Sequence, residues 1–293
     1  MTADGPTAPR LELGMISSAW HGTGLSIADG IRKAKEIGFD AYDVAEDPLV
    51  IGEEGARVIR ETSEAVGLPI RSAVCIALGL VDFTPAVRRF TLDRCKAFVD
   101  QQASLGGRSV LLVAGEYYCD LQVFSAEAIF GLVVENVREL GEYAAERGLE
   151  IVIELEPFEN AIAGSVHELA RLLRQVDHPA VKANADISHL HLSGASFDDV
   201  GVLEGMIGHV HVSDCDGEVH GDLPPGRGVT PIKEYLQAIV DTGFTGTVSV
   251  ELERSPNPEQ MVELVEEAYR ETARILSELG VRDPAGWQPV TST

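Results

Sequence analysis

Short runs of apolar, often β-branched residues recur along the chain, and stretches with helical periodicity follow them. The apolar runs begin near Leu11, Phe39, Pro69, Arg108, Glu150, Ala180, His209 and Thr247. The helical stretches lie near residues 26–37, 53–66, 84–105, 125–147, 165–176, 198–207, 230–242 and 258–280. Alternating strand–helix units predict a parallel sheet covered by helices, and a series of this length closes into a barrel. We therefore predict an α/β fold that consists of a single (β/α)8 TIM barrel.

Local signals mark the ends of the predicted helices. Residues 165–168 (Ser-Val-His-Glu) have the spacing of a capping box, and Thr230 precedes Pro231 as a cap residue precedes a proline in a first helical turn. Glycines that suit a left-handed C-terminal cap follow several helical stretches, at Gly38, Gly67, Gly106, Gly148 and Gly243. These signals support the alternation of helices and strands.

The domain organisation follows from the unbroken series of units. Because no Pro/Gly/Ser-rich linker divides the series, we predict one catalytic domain over residues 11–281. Residues 1–10 are predicted to be a flexible N-terminus. Residues 282–293 are predicted to form a C-terminal tail that is either frayed or packed over the outside of the barrel.

Candidate metal ligands stand at the ends of the last four predicted strands, at Glu154, Asp186, His211 and Glu251. In a barrel of this kind the C-terminal strand ends carry the chemistry, and neighbouring strands lie about 4.8 Å apart. Carboxylates cannot lie unpaired in a closed core, so one divalent cation shared by the four side chains is the economical explanation. Three carboxylates and one imidazole favour Mn²⁺, with Mg²⁺, Co²⁺ or Zn²⁺ as alternatives.

Each candidate ligand has a simpler explanation when it is considered alone. A single glutamate near a strand end is usually a solvated loop residue, and Asp186 can cap the loop after its strand. His211 lies between Val210 and Val212 and can be a core histidine. The presence of four such residues at the same end of consecutive strands favours the metal-binding interpretation.

Composition and charge narrow the classes of function. The 47 acidic and 23 basic residues give a net charge of −24, which argues against a nucleic acid or an anionic membrane as partner. The first residues lack a secretory signal, and no stretch approaches the roughly 20 apolar residues of a membrane span. The four cysteines are widely spaced, as is typical of reduced thiols. We therefore expect a cytoplasmic protein.

Four segments resemble the xylose isomerase-like sugar isomerase/epimerase family. Residues 186–189 are similar to the D-x-x-H after its sixth strand, and residues 209–212 to its H-x-H-x segment. Residues 223–228 are similar to its P-G-x-G loop, and residues 248–252 to its final strand. The resemblance extends from residue 11 to about residue 280, but it does not single out one member, such as a tagatose 3-epimerase-like or an inosose isomerase-like enzyme. It implies a small sugar or cyclitol as substrate and a homo-oligomer, either a dimer or a tetramer.

The resemblance also implies roles for individual residues. Glu154 and Glu251 would serve both as metal ligands and as the catalytic acid–base groups, and His189 would contact a substrate oxygen or else steady a carboxylate. Further substrate-binding candidates are Glu156, Glu159 and Arg227. Trp20 and His21 are candidates by position, since they follow the first strand and either wall the pocket or pack as ordinary loop residues. We expect the other histidines, at positions 167, 178, 191 and 220, to be surface or core residues.

The choice between Glu154 and Glu156 as metal ligand rests on spacing. Both side chains point to one face of the strand, because they are two residues apart. The resemblance favours Glu154, which follows the helix-ending Gly148 by six residues and suits the distance to Asp186. Pro157 after Glu156 resembles the E-P of the family and supports the opposite choice. We assign Glu154 as the ligand and place Glu156 beside the substrate.

Together these observations predict a divalent-metal-dependent isomerase or epimerase of a ketose, a cyclitol ketone or a related hydroxy-carbonyl compound. A carboxylate would remove the proton next to a carbonyl polarised by the cation, and an enediolate would form. An inosose dehydratase-like lyase and a C-glycoside-cleaving relative are alternatives, followed by a non-catalytic sugar-binding barrel. Residues 214–222 lack an arginine that several family members carry there, and their acidity favours a neutral sugar over a sugar phosphate.

Overall fold

Parallel strands and their connecting helices form a closed barrel in the computed structural model, which describes residues 10–117, 124–253 and 257–283. The strands are β1 (Glu12–Ile16), β2 (Ala41–Val44), β3 (Ile70–Ile76), β4 (Ser109–Val113), β5 (Glu150–Glu154), β6 (Val181–Asp186), β7 (Ile207–Val212) and β8 (Thr247–Val250). Each strand pairs in parallel with the next, and β8 pairs with β1. This closed order confirms the predicted (β/α)8 barrel.

Helices cover the outside of the barrel. They are α1 (Ile27–Ile37), α2 (Pro48–Val66), α3 (Pro85–Leu105), α4 (Ala126–Ala145), α5 (Val166–Val176), α6 (Ile187–Leu192), α7 (Phe197–Val200), α8 (Ile232–Asp241) and α9 (Met261–Glu278). The strands are buried on both faces, which explains why they appear in the sequence as nearly continuous apolar runs. Inside the barrel, Leu111, Val113 and Val152 form a small apolar cluster, and the main core lies between strands and helices.

Two of the predicted helices differ from the observed ones. The stretch predicted at 198–207 is a short α7 followed by a 3-10 turn to Leu203, and Ile207 already belongs to β7. The predicted stretch at 53–66 begins earlier, at Pro48, where Asp47 accepts a hydrogen bond from the backbone of Leu49. Gly52 interrupts this helix with a positive φ of 59°. The residues before Gly52 therefore do not continue the helical periodicity of residues 53–66, on which the prediction was based.

The capping predictions are confirmed in part. All five cap glycines have positive φ. The hydroxyl of Ser165 accepts from the backbone of Glu168, whereas the reciprocal box is formed by Ser196 and Asp199 instead. Pro231 was predicted to lie in the first turn of a helix, with Thr230 as its cap. This prediction was wrong, because α8 begins at Ile232, and Pro231 itself is the cap residue and makes no side-chain hydrogen bond.

The ends of the described chain pack against the barrel. The backbone of Leu11 donates to the carbonyl of Val281 at 2.8 Å, and the buried Arg282 forms an ion pair with Asp40. The rest of the predicted N-terminal and C-terminal segments lies outside the described residues. Within residues 10–117, 124–253 and 257–283, no helix combines the length and the apolarity that crossing a membrane requires.

Candidate active site

The barrel brings four predicted residues together at the C-terminal ends of β5 to β8. Glu154 and Asp186 are the last residues of β5 and β6, His211 is the last but one of β7, and Glu251 directly follows β8. One potential ligand atom of each side chain lies within 4.8 Å of those of the other three. All four side chains are buried. Glu156 lies outside this cluster.

His211 stands between two carboxylates. Its Nδ1 lies 3.1 Å from Oε1 of Glu154 and 3.1 Å from Oε2 of Glu251. The amide of Asn184 donates to the same Oε1 of Glu154 at 2.8 Å. A single ring nitrogen therefore faces carboxylate oxygens from both sides of the cluster.

Asp186 explains the spacing of the D-x-x-H segment. Its Oδ1 caps α6, since it accepts from the backbone of His189 at 2.8 Å and from the hydroxyl of Ser188 at 2.8 Å. The first turn of α6 thereby places His189 beside Asp186, with Nδ1 of its ring 4.0 Å from the same Oδ1. The other oxygen, Oδ2, is buried, and among the described residues it has no hydrogen-bond partner.

Burial and mutual repulsion govern the charges of the cluster. Burial raises the pKa of Glu251 well above its ordinary value, and Glu154 and Asp186 raise it further against the opposing effect of His211. Burial, followed by the charge of Glu154, raises the pKa of Glu156 to about 8. The site therefore concentrates more negative charge than its own histidine neutralises, and it favours a bound proton or cation.

A divalent cation fits this set of donors. The unpartnered Oδ2 of Asp186 is a buried acceptor without a donor, which is costly unless a ligand satisfies it. Together with the oxygens of Glu154 and Glu251 and the ring of His211, it offers a mostly hard donor set. The identity of the ion stays a prediction.

Two adjoining cavities lie at the cluster. The first has a volume of about 270 Å³ and is lined by Val74, Ile76, Leu78, Val113, Glu116, Glu154, Glu156, Phe158, His189, His220, Glu251 and Glu253. The second, of about 290 Å³, is lined by Ile16, Ser18, His21, Ala45, Val74, Ile76, Arg94, Phe98, Glu251 and Glu253. The shared residues make them parts of one cleft with Glu251 between them. This cleft can hold a molecule of the size of a monosaccharide.

The structure brings some of the predicted substrate-binding residues to the cleft. Glu156 and His189 line the first cavity, and His21 lines the second. Trp20 is buried and packs beside Gly30; it lines a different cavity of about 520 Å³, next to His21. Trp20 is not among the described lining residues of the two cavities at the cluster.

Two other predicted residues lie away from the cleft. Glu159 is exposed and does not line either cavity. Arg227 is also exposed, and its guanidinium forms an ion pair with Glu267 of α9, with nitrogen–oxygen distances of 2.6 and 2.7 Å. A contact between Arg227 and a substrate would require the side chain to leave this pair.

Some residues of the site were not foreseen. His220, for which no role in the site was expected, lines the cavity beside His189. Asp43 and His209 form a buried pair next to His211. The H-x-H spacing was the available signal for His209, because alternate residues of a strand share a face. Asp43 gave no signal, because its partner His209 is distant in sequence. His220 gave none, because the ring of His189 that it contacts lies 31 residues away.

The profile of the xylose isomerase-like TIM barrel matches residues 31–279. The chain belongs to this family. The match confirms the resemblance that was found in the motifs at the strand ends. The family is one of isomerases and epimerases, and some of the relatives are dehydratases.

Individual relatives cover most of the chain. A fructoselysine 3-epimerase of Shigella flexneri is 24% identical over 253 residues, which are 78% of this chain and 86% of the relative. A D-psicose 3-epimerase of Ruminiclostridium cellulolyticum is 27% identical over 232 residues, which are 75% of this chain and 76% of the relative. A crystal structure of the IOLI protein with a bound zinc atom has a TM-score of 0.80 at 18% identity, and the match covers 92% of this chain and 99% of that one. At this identity the structural likeness shows the fold.

Proposed function

We propose that the chain is a divalent-metal-dependent isomerase or epimerase of a ketose, a cyclitol ketone or a related hydroxy-carbonyl compound. The observation that carries the proposal is the placement of Glu154 and Glu251. Both are buried, both line the first cavity, and they contact His211 from the ends of two different strands. The relatives that are named 3-epimerases support the same class of reaction.

The two glutamates would act as a base and an acid on the carbon next to a carbonyl group. One carboxylate removes the proton, and an enediolate forms. If the other returns a proton to the opposite face, the product is an epimer; if the proton returns to the neighbouring carbon, it is an isomer. A positioned acid or base contributes about 10²–10⁴-fold to the rate. A divalent cation, for which we propose Mn²⁺, would polarise the carbonyl group as a Lewis acid when held by Glu154, Asp186, His211 and Glu251.

Solvent exchange tests this proposal directly. Incubation of the Mn²⁺-loaded protein with ketoses and inososes in D₂O should incorporate deuterium at the carbon next to the carbonyl. Glu251→Gln should reduce this incorporation at least about 10²-fold, because it removes a base. Glu61→Gln, on the exposed face of α2, is the matched control and should exchange like the parent. If no ketose or inosose exchanges, or if Glu251→Gln exchanges normally, the proposal is wrong.

The charge of the cleft supports a neutral substrate. Glutamates 116, 156 and 253 line the first cavity in addition to the cluster, and no lysine or arginine is among its described lining residues. In the second cavity the guanidinium of Arg94 already pairs with Asp47 at 2.7 Å. A phosphate group would meet net repulsion here. Turnover of phosphorylated ketoses together with inert neutral ones would contradict this assignment.

A dehydratase is the second candidate, since dehydratases occur among the relatives. It would begin with the same removal of a proton but would then expel a hydroxyl group from the next carbon. Proton NMR of the products distinguishes the two reactions. An isomerase conserves all substrate oxygens, whereas a dehydratase yields an unsaturated product and water.

A further inference from the structure

Exposed apolar side chains gather on one side of the barrel mouth. Of the eleven large apolar side chains that are exposed among the described residues, seven lie after β2, at the end of β3 or at the start of α3. Single exposed apolar residues are normal on a protein surface, whereas a contiguous group marks an interaction site. We name the seven the β3–α3 patch; they are Leu49, Val50, Ile76, Leu78, Phe83, Val87 and Phe90.

Arg94 joins the parts of the patch that come from α2 and β3. Its Nε lies 2.7 Å from Oδ2 of Asp47, and Oδ1 of Asp47 accepts from the backbone of Leu49 at 2.8 Å. Its Nη1 donates to the carbonyl oxygen of Ile76 at 2.8 Å. One guanidinium on α3 thus holds the first turn of α2 and the end of β3 beside each other.

The rest of the patch lies along the start of α3. The 3-10 turn Leu78–Val81 packs against α3, and a Cβ at Gly79 would lie 3.4 Å from Cγ1 of Val87. Phe90 stands one turn after Val87, on the same face of the helix. Phe83 precedes the helix by two residues. The exposed apolar side chains are therefore neighbours and form one surface.

The size of the patch suits a protein interface. Phe83 and Phe90 are exposed by 66% and 62%. Because a phenylalanine side chain buries about 150–250 Å² in a core, each of these rings presents about 100–160 Å². The aliphatic members raise the apolar area to several hundred Å², which is the size of patch that often proves functional. A standard interface takes about 800 Å² from each partner and has an apolar centre of this kind inside a polar rim.

The shape of the patch argues against the substrate as its occupant. Ile76 and Leu78 line the first cavity, and the other five members are not among the described lining residues of either cavity at the cluster. Small-molecule sites are concave and enclose most of their ligand. Most of the patch therefore faces outwards beside the cleft, where the flat surface of another protein can cover it.

Local charge favours a second copy of this chain as that protein. The chain carries a net charge of −24, so two copies repel each other over most of their surface. The helix α3 is an exception, because its four basic residues outnumber its two acidic ones. They are Arg88, Arg89, Arg94 and Lys96 against Asp93 and Asp100. Next to Phe90, the exposed pair of Arg89 and Asp93 offers both signs of charge, as the rim of a two-fold symmetric interface requires.

We propose that the β3–α3 patch is the interface through which two copies of this chain form a two-fold symmetric dimer. The resemblance to the family implies a dimer or a tetramer but does not say which surface is used. The partner copy covers Phe83 and Phe90 and borders the mouth of the cleft, because Ile76 and Leu78 belong to both the patch and the first cavity. The inference does not rest on the proposed function, since it uses no residue of the metal cluster.

A charge placed in the patch tests the interface. Sedimentation velocity of the full chain should show twice the mass of one chain, and Phe90→Glu should raise the Kd of the dimer at least about 10²-fold, because it puts two like charges into an apolar centre. The fold should persist by circular dichroism, since Phe90 is exposed. Val229→Glu is the matched control: Val229 is exposed by 60% and follows β7, which is four strands away from β3 around the barrel. It should remain a dimer.

Hydroxyl-radical labelling locates the interface without a substitution. In the parent, the rings of Phe83 and Phe90 should be protected at high concentration and labelled after dilution to the monomer, whereas Phe197, on α7, should be labelled equally in both states. A monomeric parent, a Phe90→Glu variant that dimerises like the parent, or a Val229→Glu variant that also dissociates would each overturn the inference. A monomeric parent that binds phosphatidylcholine vesicles would assign the patch to a membrane surface instead.

Discussion

Asp43 shows how a single buried residue can support the cluster above it. It is fully buried in β2, where its Oδ2 lies 2.8 Å from Nε2 of His209 and its Oδ1 accepts from the backbone of Ser72 at 2.8 Å. Burial opposes ionisation, yet the imidazole of His209 holds the pKa of Asp43 below its ordinary value. The pair fills the barrel beside the ring of His211 and so limits where that ring can lie.

Asp43→Asn should lower the free energy of unfolding by about 3–5 kcal/mol at neutral pH, because it removes the buried charge that His209 faces. Since the folded pKa lies below the unfolded value near 4, the contribution of Asp43 is present above about pH 4 and is lost as the pH falls through the folded pKa. Urea unfolding at neutral and acidic pH measures both effects. Asp93→Asn, which breaks the exposed pair with Arg89, should cost less than about 1 kcal/mol. Equal losses in the two variants would contradict the argument.

Residue types at strand ends could be predicted, but most of their partners could not. Glu154, Asp186 and Glu251 were recognisable because ionisable residues interrupt apolar runs at one end of successive strands. Asp43 and His209 are separated by 166 positions, and no local pattern connects them. The placement of Arg227 depends on Glu267 of a distant helix, which the P-G-x-G resemblance does not reveal.

At the scale of elements, the loop after β7 is organised by one carboxylate. Oδ1 of Asp214 accepts from the backbone of Cys215 and Thr230 at 2.9 and 3.0 Å, and Oδ2 accepts from Gly226 and Gly228, both at 2.9 Å. A Cβ at Gly228 would lie 2.4 Å from Oδ1 of Asp214 and 2.1 Å from a backbone oxygen, which explains this glycine. The P-G-x-G segment is therefore a scaffold that wraps around Asp214.

Asp214→Asn should destabilise the fold by about 2–4 kcal/mol, because an amide cannot accept from all four backbone groups and brings two donors of its own. It should also lower kcat, since this loop carries His220, which lines the first cavity. Asp216→Asn is the control: it lies in the same loop but is exposed, and its carboxylate accepts from the backbone of Glu218 and Val219. Urea unfolding and steady-state kinetics compare the two. A smaller loss in Asp214→Asn than in Asp216→Asn would refute the role of Asp214.

Elements with long periodic patterns were predictable, whereas short ones were not. The apolar faces of α1, α5 and α9 repeat over several turns and made their positions clear. α6 is only six residues long and depends on the cap by Asp186, which the sequence suggested as a metal ligand. The stretch around α7 has a helical pattern, but Gly201 and Gly205 follow, and the chain turns into β7 instead.

For the molecule as a whole, the acidic cluster couples ion binding to the stability of the barrel. Without an ion, burial raises the pKa of Glu251, so the folded chain holds a proton that the unfolded chain releases. A carboxyl group of this kind stabilises the fold below its ordinary pKa, and the contribution is lost as the pH rises towards the folded value. An ion must displace the same proton, so its affinity rises with pH over this range.

Mn²⁺ should therefore raise Tm more near pH 8 than near pH 6, and its removal with EDTA should reverse the gain. An ion at 100 times its Kd adds about 2.7 kcal/mol to the free energy of unfolding. Scanning calorimetry at both pH values measures the difference. Asp186→Asn can still cap α6 but loses a charged ligand, so its Tm should respond little to Mn²⁺, whereas Asp198→Asn, on the exposed α7, should respond like the parent. A gain that is equal at both pH values, or that persists in Asp186→Asn, would place the stabilising ion outside this cluster.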